Sequence, residues 1–166
     1  MKIGVSSFSY ERLTKTGEMS MKDTISKAKE QGFDVIEMLD IWRQAPDCDD
    51  PTRLAAELRE EAARVGIELS AYTVAADFLR GSGGDVARET ERIKKAVDLA
   101  AVLGVPCMRH DASYGFPAGF EGLKSFDCAL PRLRDACREI TEYAAEKGVK
   151  TMVENHGRFC QDSRRV

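Results

Sequence analysis

The 166-residue sequence lacks the features that would direct it to a membrane, an oxidising compartment or a nucleic acid. No apolar run approaches the ~20 residues needed to span a bilayer. The opening residues, Met1-Lys2-Ile3-Gly4-Val5, pass straight into a strand-like run and show no signal-peptide order. Cysteine is sparse and unpaired: Cys48, Cys107, Cys128, Cys137 and Cys160 are odd in number and form no CxxC. They read as reduced thiols of a cytoplasmic protein. There is no basic excess, since net charge is −3 and pI about 5.5. Phosphate-backbone binding usually leaves a basic footprint, so no nucleic-acid partner is expected, and no membrane partner either. Phosphate-loop signatures are also missing. Gly81-Ser82-Gly83-Gly84 lacks a GK[ST] ending and reads as a connector, and the first strand-to-helix turn has no GxGxxG.

What is present is a repeated unit. Helix-like segments end at Gly32, Gly66, Gly104 and Gly148, and a β-rich run follows each one. Glycine suits the left-handed cap of a helix. The intervals of 34, 38 and 44 residues fit βα units. Strands are predicted over Lys2–Ser7, Asp34–Leu39, Ile67–Val74, Val105–Arg109 and Val149–Asn155. They are largely apolar on both faces, as in a parallel sheet covered by helices. Helices are predicted over Ser20–Gln31, Pro51–Val65, Asp85–Leu103 and Pro131–Lys147. Asp50-Pro51 is a start signal, an acceptor cap followed by proline. Leu54, Leu58, Ala62 and Val65 form one apolar stripe; Leu133, Cys137, Ile140 and Ala144 form another. Both read as core.

The loops after the strands are unequal. Ala75–Gly84 and Ala112–Ala129 are long, and the second carries Tyr114, Phe116, Pro117 and Phe120. Asp40–Asp49 carries the single tryptophan, Trp42. Ligand sites are usually built on such loops, at the C-terminal ends of parallel strands. Near the end, Thr151-Met152-Val153-Glu154-Asn155-His156-Gly157 runs from apolar residues into a carboxylate, an amide and an imidazole. A buried parallel strand delivers chemistry in this way. Gln161-Asp162-Ser163 then reads as a helix cap, with Arg164-Arg165-Val166 as its first turn. A flavodoxin-type open sheet would normally close with a fifth helix, so a barrel fits better. The expectation is an α/β fold: a single domain over residues 1–166, an incomplete (β/α)8 TIM barrel of five parallel strands with four intervening helices. A complete barrel has ~250 residues, so the chain is expected to be truncated after strand five.

In this order the segments resemble the xylose-isomerase-like TIM barrels, the superfamily of sugar and sugar-phosphate isomerases and epimerases and of endonuclease IV-type enzymes. Lys2-Ile3-Gly4-Val5-Ser6-Ser7-Phe8-Ser9 is similar to the opening strand. Gly32-Phe33-Asp34-Val35-Ile36-Glu37-Met38 is similar to the second, which commonly ends in glutamate. Leu69-Ser70-Ala71-Tyr72 and Leu103-Gly104-Val105-Pro106-Cys107-Met108-Arg109 resemble the third and fourth, and Val153-Glu154-Asn155-His156-Gly157 the fifth.

The resemblance implies a divalent metal, Mn or Mg with Zn as a further candidate, held by acidic and histidine ligands on strands five to eight. Glu154 falls on the first of those positions, and the others would lie beyond Val166. It also implies a sugar or sugar-phosphate substrate and hydrogen transfer next to a carbonyl. Glu154 and His156 are then the catalytic candidates, and Glu154 the metal ligand. Glu37, Arg109 and His110 are the candidates for substrate binding. Each has a structural counterpart reading: an arginine partner for Glu154, a structural hydrogen bond for His156 or Glu37, and a salt bridge or loop anchor for Arg109 and His110. A Cys160–His156 pair has i,i+4 spacing, but nothing else activates the thiol. One glutamate cannot hold an ion that wants about six oxygen ligands, so this chain is expected to bind metal weakly or not at all. Two alternatives stand beside the isomerase: a metal-dependent phosphodiesterase of the endonuclease IV type, and a non-catalytic fragment that self-associates through open sheet edges.

Overall fold

The computed structural model describes residues 1–157 and 159–166. It contains five parallel strands: β1 (Gly4–Ser6), β2 (Val35–Leu39), β3 (Glu68–Val74), β4 (Cys107–His110) and β5 (Lys150–Val153). Their order in the sheet is β1-β2-β3-β4-β5. The helices are α1 (Glu11–Lys15), α2 (Met21–Glu30), α3 (Ile41–Gln44), α4 (Pro51–Val65), α5 (Val86–Leu103) and α6 (Phe126–Glu146). The four long ones, α2, α4, α5 and α6, are the intervening helices read from the sequence. The short α1 and α3 are additions within loops. No helix of the described residues is long and apolar enough to cross a membrane.

The described residues form two compact units, Met1–Thr73 with Asp98–Met108, and Val74–Val97 with Arg109–Val166. In the first unit α4 shows how sequence sets structure. Asp50 accepts from the Arg53 N–H at 2.9 Å, and Pro51 opens the helix where no donor is needed. Ala55, Leu58 and Ala62 are buried along one face. Gly66 ends the helix at φ 72°, a left-handed cap that would strain any residue with a Cβ. In α2 the Ser20 side chain accepts from Asp23 N, and Asp23 bonds back to Ser20 N at 2.8 Å. β1 pairs with β2 through Val5–Ile36 and Ser6–Glu37. β2 pairs with β3, with a register shift between Ile36 and Glu37. Ile36, Met38 and Tyr72 are fully buried in this unit's core.

In the second unit α6 begins at Phe126, not at Pro131. Ser125 caps it by accepting from the Cys128 N–H at 3.2 Å, and Pro131 lies inside the helix. Proline is usually a first-turn residue, which is why the sequence pattern places the helix start five residues late. Ala129, Leu133, Ala136, Ile140 and Ala144 are its buried face. β5 ends at Val153, so Glu154, Asn155 and His156 lie just past the strand. The last residues form a turn and not a helix, with Arg165 N donating to the Asp162 carbonyl at 2.8 Å.

The glycine-rich connector is anchored. Gly81 lies against the buried Glu89 carboxylate, and a Cβ there would stand 2.4 Å from its Cδ. Glu89 is 2% exposed. It accepts from the Asp77 N–H at 3.2 Å and the Ser82 hydroxyl at 2.8 Å, and it pairs with Arg92 at 2.7 Å. Burial alone would raise its pKa. The bonds from Arg92, Ser82 and Asp77 N overcome that and hold it below the ordinary carboxylate value.

Candidate active site at the ends of β4 and β5

The polar residues past β4 and β5 converge within the second unit. Arg109 and His110 end β4 and Asp111 follows. The backbone of Glu154 is tied to that end, its N–H donating to the His110 carbonyl at 2.9 Å. His156 N then donates to the Glu154 carbonyl at 2.8 Å, a tight bend that turns both side chains to one place. Their common orientation therefore comes from this bend.

One ligand atom each from Asp111, Glu154 and His156 lies within 4.8 Å of the others. His156 Nδ1 is 2.9 Å from Asp111 Oδ1 and 3.9 Å from Glu154 Oε2. Arg109 makes an ion pair with Glu154, the arginine partner foreseen as its structural reading. The Tyr114 hydroxyl donates to Asp111 Oδ2 at 2.9 Å and lies 3.3 Å from His156 Nδ1. The Tyr114 and His156 rings meet edge to face at 5.3 Å. Burial and the Asp111 carboxylate push the Tyr114 phenol up to about 12, so it keeps its proton and acts as a donor. Asp111 is 6% exposed, whereas the His156 side chain is 54% exposed. The cluster thus has an anchored side and an open side.

The donors are chemically suited to a divalent cation. Two carboxylates favour Mg²⁺ or Mn²⁺. The 2.9 Å contact of His156 Nδ1 with Asp111 Oδ1 is a hydrogen bond, so the protein donors for a cation are the two carboxylates, with His156 beside them. Two carboxylates leave most of a six-oxygen shell to other groups.

Glu154, His156 and Arg109 are therefore brought together. His110 is not part of the open face. It is 1% exposed, and Nδ1 lies 2.8 Å from the Asp111 carbonyl oxygen, so Nδ1 is the donor. Among the described residues Nε2 has no partner. Burial holds the pKa of His110 below its ordinary value. Glu37 belongs to the first unit, where it accepts from the Ser6 hydroxyl at 3.0 Å. Cys160 is 2% exposed and burial raises its thiol pKa, which argues against a nucleophile. Cys137, pushed up to about 12 by burial, lines the same apolar cleft with Phe126, Leu133 and Val153. Arg158 lies outside the described residues.

Sequence reasoning missed Asp111 and the contact role of Tyr114. The signal for Asp111 was its place directly after Arg109-His110, where a parallel strand delivers polar groups. In the sequence Tyr114 carries no signal beyond that of a loop aromatic.

Parallel strands with interleaved helices and polar groups gathered beyond their C-terminal ends define an α/β fold of barrel type. The profile of the xylose isomerase-like TIM barrel family matches residues 25–165, and the chain belongs to that family. Among solved structures it is similar to a D-psicose 3-epimerase at 17% identity and TM-score 0.69, over 96% of this chain and 56% of that one. A D-allulose 3-epimerase from Methylomonas sp. gives 21% identity and TM-score 0.61, over 92% and 51%. A probable 3-DHS dehydratase, AsbF, from Bacillus anthracis gives 18% and 0.64, over 95% and 53%. The chain spans about half the length of each of these three structures. No functionally curated protein matches it.

Proposed function

We propose that the cluster past β4 and β5 is part of a sugar isomerase or epimerase site that takes a sugar or sugar phosphate. The observation that carries this reading is the convergence of Asp111, Glu154 and His156. The likeness in fold to two sugar 3-epimerases supports it.

Moving hydrogen next to a carbonyl develops negative charge on oxygen as an enediolate forms. A bound divalent cation supplies electrostatic stabilisation for that charge. Glu154 would hold the cation, with Asp111 lending a second carboxylate. His156, on the open side, would contact substrate. Arg109 can offer a guanidinium to a substrate hydroxyl or phosphate beside Glu154. His110, with its ring buried, is suited to fixing the Asp111 backbone, and Glu37 remains a proposed substrate contact. Five free cysteines fit a reducing cytoplasm.

The test is solvent deuterium exchange. Ketohexoses and their phosphates are incubated with the chain and Mn²⁺ in D₂O and followed by proton NMR. The expected result is deuterium at the carbon next to the carbonyl, abolished by Glu154→Gln. No exchange, or nicking of abasic DNA in its place, would overturn the reading.

A further inference from the structure

The open side of the cluster is set by a chain of contacts that begins at Asp77. This residue is 9% exposed, and its carboxylate ties two segments together. Oδ1 accepts from Leu79 N and Arg80 N, both at 3.1 Å, and from the Ser113 hydroxyl at 3.0 Å. Oδ2 accepts from Arg80 Nε at 2.9 Å and Tyr114 N at 3.2 Å. Phe78 N donates to the Ala112 carbonyl at 3.0 Å, which fixes the same segment from a second point. Tyr114 is therefore held through its backbone before its side chain reaches the cluster. The Arg80 guanidinium covers its ring at 5.7 Å from the centroid.

The hydrogen bonds then decide where protons sit. A carboxylate only accepts, so the 2.9 Å contact between Asp111 Oδ1 and His156 Nδ1 needs a proton on Nδ1. The single Tyr114 hydroxyl proton goes to Asp111 Oδ2, at 2.9 Å. The Tyr114 oxygen, 3.3 Å from Nδ1, can then only accept there. Both neighbours present acceptors to Nδ1. A neutral imidazole has one N–H, so the lone pair belongs to Nε2. No hydrogen bond holds Nε2 among the described residues, and the side chain is 54% exposed.

We infer that Asp77, Tyr114 and Asp111 are positioning residues that fix His156 as its Nδ1–H tautomer, so that Nε2 meets a ligand hydroxyl as a hydrogen-bond acceptor. Only the class of ligand, a polyhydroxylated small molecule, rests on the sugar reading. A lone pair at Nε2 accepts from a hydroxyl but repels a phosphate oxygen, so His156 contacts the carbon chain of a sugar phosphate and not its phosphate group.

The test uses histidine-selective nitrogen NMR in chelator-treated buffer at about pH 8, above the ordinary imidazole pKa of about 6.5. The chain has two histidines, so two rings appear, and His156→Gln assigns them. His110, whose Nδ1 donates to a carbonyl, serves as the reference for the Nδ1–H pattern. His156 should show that same pattern, although free imidazole side chains in water favour Nε2–H. Asp111→Ala should lower its Nδ1–H to Nε2–H ratio by more than roughly tenfold, and Tyr114→Phe by roughly fivefold. His110 should not change in Tyr114→Phe, where only a hydroxyl is lost. An Nε2–H pattern for His156 in the unmodified chain would overturn the inference, even if Asp111→Ala does not fold. So would an unchanged ratio in Tyr114→Phe. An Nδ1–H His156 in a chain that exchanges no sugar hydrogen would sink the sugar reading and leave the tautomer standing; an Nε2–H His156 in an active chain would do the reverse.

Discussion

Gly157 has φ 71°, and a Cβ there would stand 2.7 Å from the Ser113 carbonyl oxygen and 3.2 Å from Tyr114 Cδ1. A side chain would be strained by its backbone and would push the 113–114 segment off the cluster. Gly157→Ala should destabilise the protein by about 1–3 kcal/mol, read as a lower denaturant midpoint with an unchanged slope. The residues of the site were legible to different degrees. Glu154 and His156 stood out because polar groups directly follow an apolar run. Asp111 did not, because its partner His156 is 45 residues away and only the bend after β5 brings the two together. The burial of His110 was also not readable, since a strand-end histidine looks the same whether its ring faces in or out.

At the scale of elements, the connector after β3 and the start of α6 offer separate tests. Glu89 is almost fully buried and joins Arg92, Ser82 and the Asp77 N–H. Glu89→Ala removes all three bonds and should cost about 2–4 kcal/mol in thermal or denaturant unfolding. Because its folded pKa is lowered, its contribution is present above the unfolded carboxylate pKa of about 4.3 and fades as pH falls through the folded value. The wild-type advantage over Glu89→Ala should therefore shrink on acidification below about pH 4. Pro131 is exposed and inside α6, where it removes one helix hydrogen bond. Pro131→Ala should raise stability by about 1–3 kcal/mol, seen as a higher Tm. The same proline explains the displaced helix start. Ser125 was the better signal, an acceptor directly before the first helical residue. The four glycine junctions, by contrast, marked helix ends correctly, because φ of 86°, 72°, 74° and 74° at Gly32, Gly66, Gly104 and Gly148 leaves few other residues suitable.

For the whole molecule, β1 and β5 end the strand order. Met152, on β5, is 46% exposed, and Ile3, just before β1, is 56% exposed. Unpaired strand edges with apolar side chains template pairing with another chain. We propose that the chain self-associates, with light scattering showing a mass that grows with concentration. Met152→Lys should reduce that growth, and a strictly monomeric parent would refute it. Fold class was readable at this scale because the βα period is long-range and redundant across four junctions. Composition could not show which strand ends would share a site. The central claim is that Glu154 and Asp111, with His156 beside them, form a cation-dependent site, and calorimetric titration with Mn²⁺ tests it most directly. Two protein carboxylates should give weak 1:1 binding, with a Kd on the order of 10⁻⁴ M, and Glu154→Gln should remove it. No heat in the parent chain, or undiminished heat in Glu154→Gln, would contradict the claim.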